Sequence, residues 1–335
     1  MIVLEVVAGV VGVFLLGRSG AVFVGSASRL ALRLGVSSIV VGIVVIGFGT
    51  SAPELVVSAV AAFEGSADVG VGNVVGSNLA NLTLVLGIAA VAAPLRVSSS
   101  LLRREAPLMF ASMVMFGIFV QGGLTRLEGL LLLGTLAALT LLLVRAARAA
   151  RQPSSTTDAG EDDGTAADET APHVASAGDT GLTADHLGTT RRDVAIVMVG
   201  LAGTLGGAQL LVWAATGLAD RAGLSGGIVG LTLVAVGTSL PEMATTLEAA
   251  RQGDSDMIIG TLFGSNVINS LAAGAAVGLI APSAVVDPTV IGAGVVIMLA
   301  SALSALALMR RGFVLTRREG AMLIIAYVIA VTLLA

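Results

Sequence analysis

The feature that most limits what this chain can become is a repeat. The stretch GTSAPELVVS at 49–58 returns as GTSLPEMATT at 237–246, and GNVVGSNLAN at 72–81 returns as GTLFGSNVIN at 260–269. One offset of 188 residues also aligns Gly42 with Gly230, Gly65 with Gly253, Asp68 with Asp256 and Arg33 with Arg221. A constant, gapless offset over such a length marks an internal duplication, and a duplication governs the fold before any local assignment does.

Composition supplies the medium. The 335 residues are 56% hydrophobic and 12% charged, and runs such as 131–144 and 321–335 are apolar on every face. A helix that crosses a bilayer needs about 20 such residues, and the 43 glycines suit membrane helices whose backbones approach closely. Hydropathy places spans near 2–20, 37–62, 70–92, 105–121, 127–145, 193–215, 227–249, 257–280, 289–309 and 319–335. With these spans, every one of the 18 arginines except Arg126 and Arg221 falls on one side. The positive-inside rule makes that side cytoplasmic and puts both termini outside.

Each half then holds five spans, an odd number, so the two copies lie upside down relative to each other. The expected fold is an all-α integral membrane protein of ten transmembrane helices. Two inverted five-helix repeats, 1–145 and 193–335, are joined by 146–192, with helices 2, 3, 7 and 8 interrupted. Inverted repeats with helices broken at matching positions point to a secondary transporter whose site lies near the midplane. The joining segment, with eight acids and scattered Ser, Thr and Gly, reads as a disordered cytoplasmic linker. Its cluster Glu161, Asp162, Asp163 is a solvated tether or a calcium sensor, and no calcium-loop spacing is present for the latter.

Other classes are excluded by what is missing. With no cysteine there is no disulfide and no thiolate metal site. The two histidines, His173 and His186, lie in the linker, so a hydrolase using Ser51 or Ser239 would have no histidine base in any span, and no HExxH motif occurs. The chain therefore reads as a transporter and not an enzyme. A passive channel would give no reason for a duplicated, buried pair of acids. The first residues, MIVLEVVAGV, lack a basic leader and read as a first span. The exclusive use of arginine, with the Ala/Gly bias, suggests a prokaryotic cell membrane.

The chemistry sits in the repeated motifs. On a helix Thr50 and Glu54 are i and i+4, with Gly47 and Ser58 on the same face. Pro53 cannot donate a backbone hydrogen bond and displaces the carbonyl of Gly49, and Pro241 does the same to Gly237. Ser77 with Asn81, and Ser265 with Asn269, add neutral oxygens at the same spacing. Carbonyls, hydroxyls and carboxylates form an all-oxygen set, which suits hard cations such as Na⁺ and Ca²⁺. Serine and threonine in membranes also bond their own helix, and the pairs Gly72/Gly76 and Gly260/Gly264 also serve close packing. A mid-depth glutamate is different, because insertion there costs about 2.5–3.5 kcal/mol and function is the default explanation. No arginine or histidine shares the depth of Glu54 or Glu242. One Ca²⁺, or several Na⁺ or protons, would cancel the pair, and that competition is what exchange requires. Glu64 and Asp68 at one mouth, and Asp254 and Asp256 at the other, read as solvated loop acids.

These doubled motifs resemble the two alpha-repeats of the cation/calcium exchanger superfamily, specifically its sodium/calcium exchanger branch, over nearly all the chain outside the linker. The resemblance implies a central cluster of four ion sites, with Glu54 and Glu242 shared between calcium and sodium. It implies as further ligands Thr50, Thr238, Ser51, Ser239, Ser77 and Ser265, with the carbonyls of Gly47 and Ala235, and a first and sixth helix that slide as a pair. Thr-Ser ahead of Pro-Glu favours the sodium branch over proton-driven relatives, which carry an Asn-Ala type sequence there. Asparagine at both 81 and 269 argues against potassium co-transport. Asn73 is matched by Thr261, where an asparagine is common. The expected function is antiport of Ca²⁺ against several Na⁺ by alternating access, the alternative being H⁺/Ca²⁺ antiport or transport of another divalent cation. The expected partners are these ions and the lipid bilayer, with no cofactor, no nucleic acid and no obligate protein partner.

Overall fold

The computed structural model describes residues 2–33, 51–149, 190–284 and 286–334. Gly47, Gly49 and Thr50 lie outside the described residues, as do linker residues 150–189 with His173, His186 and the acids at 161–163. The first half comprises α1 (Ile2–Arg33), α2 (Ala52–Phe63), α3 (Ala67–Ala80), a π-helical turn (Asn81–Val85), α4 (Leu86–Ala92), β1 (Leu95–Arg96), α5 (Ser99–Phe119) and α6 (Arg126–Ala149). The second comprises α7 (Thr190–Ala222), α8 (Gly226–Val229), a π turn (Gly230–Val234), α9 (Ala235–Thr238), α10 (Leu240–Gln252), α11 (Ser255–Ile268), a π turn (Asn269–Ala273) and α12 (Gly274–Ile280). A π turn at Val290–Gly294, α13 (Val295–Arg310), β2 (Val314–Leu315) and α14 (Arg317–Leu334) complete it. Among the described residues eight helical stretches are long and apolar enough to cross a membrane. With α2, the described part of the second span, and α14 they make the expected ten.

The offset of 188 recurs in the backbone. Ser51 and Ser239 precede helix starts with φ/ψ of −89°/5° and −83°/2°. The π turns at Asn81 and Asn269 match as well. Gly65 and Gly253 turn the chain at φ +79° and +77°, a region open to glycine at no steric cost. These two glycine turns lie at opposite ends of the molecule. At one end Arg96 N–H donates to Ser255 Oγ (3.1 Å) beside the Gly253 turn, and β1 pairs antiparallel with β2. At the other, Asp68 stands against Gly226 just after the Gly65 turn, and Ser283 N–H donates to the Leu124 carbonyl (2.7 Å). The first end carries Arg96, Arg251 and Arg310, and the second carries Arg126 and Arg221. The halves are therefore inverted.

The sequence undersized two helices. α1 and α7, expected at 2–20 and 193–215, run for 32 and 33 residues. At 1.5 Å per residue each is about 48 Å long, well beyond the roughly 30 Å hydrocarbon layer, so both tilt or project beyond it. Their polar ends are held by each other. Arg221 Nε donates to both Glu5 oxygens (3.0 and 2.8 Å) at one end, and Arg29 pairs with Asp193 (4.0 Å) at the other. Glu5 and Asp193 are themselves a match at offset 188, so the device is duplicated. Between these ends the two backbones touch: a Cβ at Gly12 would stand 2.9 Å from the Gly207 carbonyl, and one at Gly207 2.6 Å from Leu16 N. Apolar side chains such as Leu130, Val199 and Ile325 face outward, while α3 is buried except at Asp68. The polar residues sit inside that apolar shell.

Candidate ion-binding site

Both Pro-Glu motifs open a helix. α2 begins at Ala52 and α10 at Leu240, so Pro53 and Pro241 occupy the first turn, where a missing N–H costs nothing. Glu54 and Glu242 then stand in the first turn of their half-helices, at the positive end of the helix dipole. α1 covers both breaks: its Gly17 and Gly20 face the Cγ atoms of Pro241 and Pro53. In α3 and α11 the π turns begin at Asn81 and Asn269 themselves, and such turns recur at functional sites.

The two halves meet here. Ser239 Oγ donates to Glu54 Oε1 (3.3 Å), joining one motif to the other across 185 residues of chain. Glu242 follows Ser239 by three residues in the first turn of α10. Thr238 Oγ1 and Ser77 Oγ both donate to Asn73 Oδ1 (3.2 and 3.4 Å), and Asn73 Nδ2 donates to the Glu54 carbonyl (3.2 Å) and Ser58 Oγ (3.0 Å). Beside this, Asn81 Nδ2 donates to Asn266 Oδ1 (3.2 Å) and Asn78 Nδ2 to Ser270 Oγ (3.0 Å), tying α3 to α11 and its π turn. Ser51, Glu54, Ser77, Asn81, Thr238, Ser239, Glu242, Ser265 and Asn269 are all buried, and no basic side chain is buried with them among the described residues.

Buried polar atoms are nearly always paired, yet here many are not. Ser51 Oγ, Glu54 Oε2, both Glu242 oxygens, Thr246 Oγ1, the Oδ1 atoms of Asn78, Asn81 and Asn269, and Asn269 Nδ2 have no hydrogen-bond partner among the described residues. All but the Asn269 nitrogen are oxygens, two of the groups are carboxylates, and a hard cation binds such oxygens. The Ala235 carbonyl is different. It accepts from Ser239 N (3.1 Å), and the single Thr238 hydroxyl proton can go either to it (3.2 Å) or to Asn73 Oδ1, so its second lone pair is free for an ion when Asn73 takes the proton. Gly47 and Thr50 lie outside the described residues. The hub role of Asn73 and the pairings of Asn78, Asn266 and Ser270 were not read from the sequence. The repeated Gly-Ser-Asn at 76–78 and 264–266 was the available signal for the first two asparagines.

Comparison with known proteins agrees with this architecture. The family model described as "Sodium/calcium exchanger protein" matches residues 4–145 and 193–335. CaxA of Alkalimonas amylolytica, which bears the name of an antiporter, is 34% identical over 322 residues, covering 95% of this chain and 94% of its own. The sodium/calcium exchanger MaX1 of Methanosarcina acetivorans is 29% identical over 342 residues, covering 95% and 94%. A solved structure of the sodium-calcium exchanger NCX_Mj superposes with a TM-score of 0.60 at 25% identity, over 99% of both chains.

Proposed function

The chain belongs to the sodium/calcium exchanger family of membrane antiporters, and from that premise we propose that it exchanges Ca²⁺ for several Na⁺ at a site between its inverted repeats. The observation that carries this reading is the Ser239–Glu54 bond amid oxygens without partners among the described residues. It supports a single buried, oxygen-lined volume for the two carboxylates, with no basic group buried beside them among the described residues. Ca²⁺ cancels the pair alone, whereas Na⁺ must bind more than once. Occupancy by one kind of ion therefore excludes the other.

In this reading Glu54 and Glu242 are the charged ligands. Ser51, Ser77, Thr238, Ser239, Ser265, Asn81 and Asn269 supply neutral oxygens, with Thr50 and the Gly47 and Ala235 carbonyls completing the set. The arginine-rich end faces the cytoplasm of a prokaryotic cell, the termini lie outside, and 146–192 is a cytoplasmic tether between two transport halves. α1 and α7 move as one body across the proline breaks, which opens the site to alternate sides. The chain works without a resident cofactor or an obligate protein partner.

Calcium uptake into sodium-loaded vesicles tests the reading. Uptake should follow the outward sodium gradient and carry net charge. Uptake that ignores sodium and follows pH would replace it with proton coupling. Glu54→Gln and Glu242→Gln should each abolish exchange in a protein that still elutes as a folded species, and retained exchange in either would refute the ligand assignment.

A further inference from the structure

We propose that Asn73 is a positioning residue that turns the Ser77 and Thr238 hydroxyls toward the cation. This rests on the cation-exchange reading above. Asn73 is fully buried, and an asparagine side chain has two N–H donors and two acceptor lone pairs. All four are used. Nδ2 serves the Glu54 carbonyl and Ser58 Oγ on α2, while Oδ1 serves Ser77 on α3 and Thr238 on α9. With both lone pairs engaged, Oδ1 is not itself a ligand.

Its effect is on the hydroxyls. A hydroxyl has one proton and two lone pairs. A proton given to Asn73 points away from the ion, and both lone pairs remain for a hard cation. Thr238 can also send that proton to the Ala235 carbonyl at 3.2 Å. By taking the proton instead, Asn73 leaves the Ala235 oxygen a free lone pair. Asn73 thus fixes three of the proposed ligands through hydrogen bonds that touch no ion, as outer residues around metal ligands commonly do.

The second half is built differently at this position. Thr261 occupies the matching place and is only half-buried, and its side chain makes no hydrogen bond among the described residues. By the same offset Thr246 Oγ1, which matches Ser58, has no partner among the described residues, and the Glu242 carbonyl, which matches that of Glu54, accepts from Thr245 Oγ1 (3.0 Å). The repeat preserves the proposed ligands and replaces the four-bond amide by a hydroxyl.

The experiment compares full-length wild type, Asn73→Thr and Asn73→Asp. Threonine already stands at 261, so the first variant imports the second half's solution. Aspartate keeps an acceptor for both hydroxyls, removes the donors to Glu54 and Ser58, and adds a negative charge. Two readouts are taken: CaCl2-dependent thermal stabilisation of purified protein, and calcium uptake into sodium-loaded vesicles. Asn73→Thr should raise the half-stabilising CaCl2 concentration and KM about 10–100-fold, with kcat within about twofold. Asn73→Asp should bind calcium at least as tightly as wild type. An unchanged KM with reduced kcat in Asn73→Thr, or equal weakening in both variants, would overturn the proposal. If wild type shows no sodium-driven uptake, the exchange reading fails, and the CaCl2 stabilisation still decides the role of Asn73.

Discussion

Substituting Gly76 by alanine tests whether α3 and the α8–α9 stretch must touch backbone to backbone. A Cβ built at Gly76 falls 2.1 Å from the Leu231 carbonyl oxygen and 2.6 Å from Ala235 Cβ. The nearest atom is backbone, which cannot rotate away. A carbon and a carbonyl oxygen come no closer than about 3.3 Å, so the helices must part by roughly 1.2 Å at this crossing. Overpacking a tight interior costs about 1–3 kcal/mol, against a gain of about 1 kcal/mol from replacing a helical glycine by alanine. Because the obstruction is backbone, the upper part of the range applies, leaving a net loss of about 2 kcal/mol. At about 2–4 °C per kcal/mol the apparent melting temperature should fall by roughly 4–8 °C. Gly134→Ala is the control: Gly134 is exposed on α6 with nothing within 4 Å of its Cβ, and it should be neutral or slightly stabilising. Transport should suffer along with stability, since Ala235 and Thr238 lie on the displaced stretch. A Gly76→Ala protein as stable and active as wild type would show that the contact between these helices is looser than it stands here.

Other consequences are as direct. Glu5→Gln deprives Arg221 of its two-point partner and should lower the melting temperature of the α1–α7 pair. Because the Arg221 side chain is 38% exposed, the deficit should shrink in high salt, where the wild-type pair is itself screened; a salt-independent deficit would mean packing and not charge. Thr316→Ala removes the capping box in which Thr316 N and Oγ1 donate to Glu319 Oε2 (2.8 and 2.7 Å), a loss of about 1 kcal/mol. It should appear as faster amide exchange confined to the first turn of α14, and exchange spread over the whole chain would contradict it. Deleting 155–188 should leave sodium-driven calcium uptake unchanged in vesicles, while loss of calcium activation would assign the acids at 161–163 a sensing role.

Much of this was legible in the sequence because its signals are periodic. Apolar runs longer than a bilayer is thick gave the spans, the offset of 188 gave the pairing of Ser51 with Ser239 and Asn81 with Asn269, and an odd number of spans per copy forced the inversion. Two things were not legible, for physical reasons. The lengths of α1 and α7 depend on ion pairs between residues 216 positions apart, Glu5 with Arg221, and no hydropathy window sees a partner at that distance. The hub at Asn73 depends on the rotation of α3 against α2 and α9. The motif GNVVGSN gives the residue but not the four atoms it meets.

The near-identity of the halves in backbone makes their differences in side chain consequential. In a transporter built from inverted repeats, the opened and closed states exchange the roles of the two halves. Were the matched side chains identical, the two orientations would be equal in free energy. They are not. Position 73 holds an asparagine whose amide makes four buried bonds, and position 261 holds a threonine, which has no amide to make them. Of the four, the Thr238 bond alone crosses between the halves, and at about 0.5–1.5 kcal/mol net per bond it corresponds to a bias of roughly 2- to 13-fold. On the alternating-access reading proposed above, that bias favours the orientation in which α3 closes on α9, and a substrate that opens it must supply the binding energy that breaks the Thr238–Asn73 bond.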